Sequence, residues 1–172
     1  MRTVLAAMAV AASCMGAASP GAARAKDGVR AALTARQIAD ALTEAGLSPT
    51  MIKDRETGNP VATGSLDGGL VFVARAMECR GLPKACAQVV LFANFDLGRE
   101  VDPGDFAVVN AFNEGNLNGR AYVLAGRDQV GVDYVIDLTG GVTAAHVAAK
   151  LARWPAVVGD FKEEMIAART GS

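Results

Sequence analysis

Reactive side chains are scarce in this chain. Its 172 residues hold one histidine, three cysteines, one tryptophan and two tyrosines, and aromatic residues make up 5%. A lone histidine with no second imidazole or cysteine pair does not build the usual structural zinc site. Beyond residue 25 the serines are Ser48, Ser65 and Ser172, none in a Gly-x-Ser-x-Gly turn, so a Ser-His-acid relay lacks its nucleophile. Gly68-Gly69 and Gly140-Gly141 read as turns, because no Gly-Lys-Ser/Thr follows to hold phosphate. Asp96, Glu100, Asp102 and Asp105 lack the ligand spacing and closing Glu of a calcium loop. Basic residues number 17 against 18 acidic, spread without blocks, which argues against nucleic acid as partner and against a polybasic membrane anchor. No apolar run approaches the roughly 20 residues of a membrane span. No cofactor, metal ion or catalytic residue is expected.

The N-terminus is where the chain declares a destination. Arg2, the apolar stretch Val4 to Met15, and Ala23-Arg24-Ala25 before Lys26 have the three regions of a secretion signal, read here as residues 1–25. Cys14 follows Ala-Ala-Ser, as a lipid anchor would require, but Ala11 stands where such sites usually carry Leu, which weighs against lipidation. Cleavage before Lys26 removes Arg2, Arg24 and Cys14, leaving 17 − 2 = 15 basic and 18 acidic residues, a formal charge of −3. Localisation in the periplasm or another exported compartment follows. The two remaining cysteines, Cys79 and Cys86, then read as one disulfide closing a short hairpin. A redox role fits less well, since catalytic dithiols usually sit two residues apart at a helix N-terminus.

Residues 26–33 read as a mobile leader and 34–168 as one domain. Thr34-Ala-Arg-Gln37 is a capping box, Ile38, Ala41, Leu42 and Ala45 form one apolar stripe, and Gly46 closes the helix. Four strands are expected next: a polar edge over 50–55, then 61–66, 70–77 and 87–95, the last two nearly continuous in apolar residues. Asp102-Pro-Gly-Asp105 opens a second helix, with Phe106, Val109, Asn110 and Asn113 on one face and Phe112 to one side. A strand over 120–125 precedes the alternating run Val130, Val132, Tyr134, Ile136 and Leu138, the clearest period of two in the chain. Thr143 caps a last helix with Val147, Leu151, Trp154 and Val158 inward, and Pro155 predicts a kink or break near Arg153. The sum is an α+β domain of about six antiparallel strands, in the order α-β-β-β-β-α-β-β-α.

A few residues merit individual weighing. His146, with Lys150 and Arg153, lies off the apolar stripe and reads as solvated. Asp133 and Asp137, at i and i+4 on one strand face, lie about 13 Å apart, too far for joint acid–base work, and are expected in solvent. Asn110 and Asn113 need partners if buried, which backbone at the 115–119 loop or a ligand would supply. Trp154 belongs to the core, or to a seam between copies.

Asn110-Ala-Phe112-Asn113 followed by Gly119-Arg120-Ala121-Tyr122 resembles the central signature of the YbjN-like family of bacterial sensory transduction regulators. Leu33-Thr34-Ala-Arg-Gln-Ile38 through Ala45-Gly46, Phe95-Asp96-Leu97 and Asp137-Leu-Thr-Gly-Gly-Val-Thr143 match in order, so the likeness spans residues 33–168. Most of that family carries Trp where Phe112 stands here. The resemblance implies a fold similar to type III secretion chaperones, a twisted antiparallel sheet against helices and often a dimer, and carries over no reaction. The expected function is an exported, non-enzymatic, chaperone-like binding module for a protein segment or a second copy. A small envelope enzyme built on His146, and a carrier of an apolar ligand, are the alternatives.

Overall fold

The structure is a computed structural model, and it describes residues 28–170. The expected signal peptide and Cys14 lie outside the described residues.

A two-residue strand, β1 (Leu33–Thr34), runs directly into α1 (Ala35–Glu44). Thr34 and Gln37 make the capping box in both directions. At the other end Gly46, at φ +81°, donates to Thr43 O while Leu47 N–H donates to Leu42 O, the paired closure that needs a left-handed residue. Ile38 and Leu42 are buried and Ala41 and Ala45 flank them.

Four strands follow: β2 (Thr50–Lys53), β3 (Pro60–Ser65), β4 (Val71–Arg80) and β5 (Ala85–Asp96). After α2 (Pro103–Gly115) come β6 (Arg120–Leu124) and β7 (Gln129–Asp137), then α3 (Ala144–Thr170). The path through the sheet is β2-β3-β4-β5-β7-β6, antiparallel throughout, with β1 beside the start of β5. This α+β architecture matches the expected order, with β1 as a seventh strand too short to leave a period in the sequence.

The helices cover one face. Phe72, Ala74, Ala76, Val89, Leu91, Ala93, Val132, Tyr134 and Ile136 point into the core beneath them. Phe161 of α3 packs edge-on to both Phe95 and Phe112, and Trp154 stacks on Tyr134 at 6.5 Å. Trp154 is fully buried, so it lies in the core and not at an exposed seam.

Four expectations change. Arg30 exchanges backbone hydrogen bonds with Val142, at 2.8 and 3.0 Å, and Leu33 is buried opposite Cys86, so the presumed leader is tied down from Arg30 onward. Strands β4 and β5 continue through the cysteines, leaving only Gly81–Lys84 as the tip. Helix α3 runs unbroken through Pro155. Proline forfeits one helical bond at a cost of about 3 kcal/mol. Leu151 and Trp154 before it and Val157, Val158 and Phe161 after it are all buried, and each such side chain contributes about 1.5–3 kcal/mol. Packing on both sides therefore outweighs the defect. Last, α2 turns a different face inward: Asp105, Val109 and Phe112 are buried, while Phe106 and Asn110 are exposed. The aromatic that reaches the Phe161 ring sets that rotation.

Candidate interaction face

Opposite the helices, no described residue covers the sheet. Register places Ile52, Val71, Val73, Met77, Val90, Phe92 and Val135 on that side, together with Val61, which is buried. Ile52 is 51% exposed, Val71 57%, Met77 44% and Val135 47%. Strands β4 and β5 are apolar on both faces, and only one face has helices to cover it. Exposed apolar side chains gathered on one sheet face usually mark an interaction site.

Polar groups lie among and beside these residues, Arg75 between Val73 and Met77 on the same face. The Arg75 guanidinium lies over the Phe92 ring, 5.8 Å from its centroid. Tyr122 Oη donates to Asn94 Oδ1 at 2.6 Å across β7. Gly131 permits that crossing, since a Cβ there would come within 2.6 Å of the Tyr122 ring. Burial pushes the Tyr122 phenol up to about 12. Arg120 Nη2 meets Asp133 Oδ2 at 2.5 Å, and this contact raises the guanidinium further above its ordinary value. Asp133 is therefore 9% exposed and ion-paired, not solvated as the alternation implied. Asp137 does remain exposed, turned onto the Thr139 N–H at 2.8 Å.

The two cysteines are joined directly across β4 and β5, Cys79 to Cys86, with Cα atoms 3.8 Å apart. Asn113 clips the outer edge of β6: Ala121 N–H donates to its Oδ1 at 2.7 Å and its Nδ2 donates to Ala121 O at 3.1 Å. Asn110 has no such role. Phe112, in the position of the family's tryptophan, is wholly enclosed. The structure thus separates the residues singled out by sequence: Asn113 at an edge, Phe112 and Trp154 in the core, Asn110 in solvent.

Asp102 and Asp105 are occupied by helix capping and by Arg99. Arg99 makes two 2.8 Å bonds to Asp105, whose carboxyl is held below its ordinary value chiefly by that guanidinium. His146 is exposed, and among the described residues its ring has no hydrogen bond or ion pair. The apolar void between α1, α3 and the sheet measures about 10 Å³, room for one water and not for a lipid chain. Among the described residues no three His, Cys, Asp or Glu side chains gather to hold a metal ion, and no helix is long and apolar enough to cross a membrane.

Residues 34–167 match the model of the YbjN family, described as "Putative bacterial sensory transduction regulator". The chain belongs to the YbjN family. The crystal structure of YbjN from E. coli is similar at 13% sequence identity and a TM-score of 0.46, covering 76% of this chain and 92% of that one. Among curated proteins none matches. The bare sheet face of this YbjN-family protein could be anticipated only in part: the apolar runs of β4 and β5 signalled surplus apolar surface, but not which side would stay open.

Proposed function

We propose that this YbjN-family protein is an exported, non-enzymatic binding module that engages a protein segment or a second copy of itself through the open face of its sheet. The observation that carries the reading is the apolar patch of Val71, Val73, Met77, Val90, Phe92 and Val135, left uncovered among the described residues, whose helices pack on the other side. Arg75 lies over the Phe92 ring and Asp133 is paired with Arg120, so the patch favours a largely apolar counterpart. Export is supported by the signal-like residues 1–25 and by a disulfide, which persists in oxidising compartments. A non-enzymatic role is supported by the isolation of His146 and by the capping duties of Asp102 and Asp105.

The test uses the mature, disulfide-bonded protein. Its hydrodynamic size is measured across concentrations, and envelope extract is passed over it as bait. Val71→Glu/Met77→Glu alters two exposed positions and should leave the melting temperature unchanged while abolishing self-association or capture. A protein that stays monomeric and captures nothing, or captures the same partner with both substitutions in place, refutes the reading.

A further inference from the structure

Strand β7 is unevenly accompanied. β5 pairs with it from Asp137 to Gln129, whereas β6 begins only at Arg120, opposite Asp133. Tyr134, Val135, Ile136 and Asp137 therefore have no strand on their outer side among the described residues.

Ladder parity says which backbone groups that leaves open. Leu138 N–H donates to Ala87 O at 2.9 Å, towards β5. In an antiparallel ladder successive residues face alternate neighbours, so the odd positions Val135 and Asp137 aim their N–H and C=O outward. The far end of β6 gives the same parity independently. Asn113 holds both backbone groups of Ala121 on the outer edge, so Arg120 and Tyr122 face β7 at Asp133 and Gly131, again odd positions. One exposed edge of the sheet is thus capped by a carboxamide, while the β7 edge next to it has no equivalent.

Beside that edge lies an open cleft of about 410 Å³, lined by Leu117, Asn118, Arg120, Val135 and Lys150 among others. Leu117 is 99% exposed and stands beside the cleft as an apolar flank. The cleft is short of negative charge. Asp133 is neutralised by Arg120 at 2.5 Å, Lys150 Nζ sits over the Tyr134 ring at 5.4 Å, and Arg153 donates to the neutral Asn118 amide at 2.9 Å. Asp137, at the far end, accepts from the Thr139 N–H and keeps its negative charge, so the carboxylates of an acidic segment belong at the Lys150 end.

We infer that the Val135–Asp137 edge is a strand-addition slot for an extended acidic peptide segment, which would take the ladder position that β6 vacates and meet Lys150 with its carboxylates. Strand addition supplies affinity through main-chain bonds, and side chains at alternate positions supply preference. The four unaccompanied residues span about 10 Å from first to last Cα, so a segment of about four residues fits. This inference rests on the reading of the protein as a binding module but uses a surface separate from the β4 side of the open face.

The test probes an array of immobilised eight-residue peptides with the mature, disulfide-bonded protein. The peptides alternate Val with Glu, Gln or Lys, and a further Val-Glu set carries N-methyl groups on alternate amides. The Val-Glu peptides should bind at least tenfold tighter than the Val-Lys peptides, and N-methylation should abolish binding. Lys150→Glu should erase the preference for Glu, while Val71→Glu/Met77→Glu should leave it intact. Absence of Val-Glu binding, equal binding of Glu and Lys peptides, indifference to N-methylation, or an unchanged preference in Lys150→Glu each overturns the slot. If association through the open face survives that outcome, only the slot fails; if that association is lost as well, the module reading fails with it.

Discussion

Replacing Cys79 and Cys86 together by alanine tests the covalent link that joins β4 to β5. The bridge joins residues separated by seven positions, a closed loop of eight residues counting both ends. On the chain-entropy relation, releasing a loop that short costs about 2.5 kcal/mol. Cys86 is fully buried and pairs with Leu33 of β1, so loss of its sulfur adds on the order of 1 kcal/mol from contacts. For a domain of this size each kcal/mol moves the melting temperature by roughly 3–4 °C, so the double substitution should lower it by roughly 10–14 °C. Circular dichroism melts with and without dithiothreitol separate the two terms. Reductant should lower the wild type by roughly 8–10 °C, the loop term alone, and should not move the variant. A wild-type melt indifferent to reductant, or two titratable thiols in protein recovered from its native cell, would refute the reasoning.

Two smaller perturbations bear on the same architecture. Asn113→Ala removes two side-chain bonds to Ala121 and should destabilise by about 1–2 kcal/mol in urea unfolding, with faster aggregation because the β6 edge is bared. Asp105→Asn tests the helix cap through pH. The folded carboxyl titrates below its ordinary 3.8, so its contribution is complete above that value and disappears as pH falls through the folded pKa. Wild type should exceed the variant by about 1 kcal/mol at pH 7, and the gap should close below about pH 4 in denaturant melts.

What could be read from sequence was local. The Thr34–Gln37 box, the Gly46 closure, the Asp102 cap and the alternation of β7 each involve residues within a few positions of one another, so spacing suffices to specify them. The candidate site was less legible. Strands β4 and β5 are apolar on both faces, and a pattern without contrast cannot say which face helices will cover. Asn110 and Asn113 lie on nearly the same side of α2, and only the contact of Phe112 with Phe161 settles which amide reaches the sheet.

By itself, then, the sequence determined the order of elements, the ends of α1 and the start of α2, and the pairing of the two cysteines, because caps, turns and short loops are closed by near neighbours. Tertiary structure alone decided the continuity of α3 through Pro155, the burial of Asp133 against Arg120, the tethering of Arg30 to Val142, and the bare face and unaccompanied edge of the sheet. These depend on groups distant in the chain, whose combined burial outweighs a local penalty or leaves a surface without a neighbour, and no short window of sequence contains both partners.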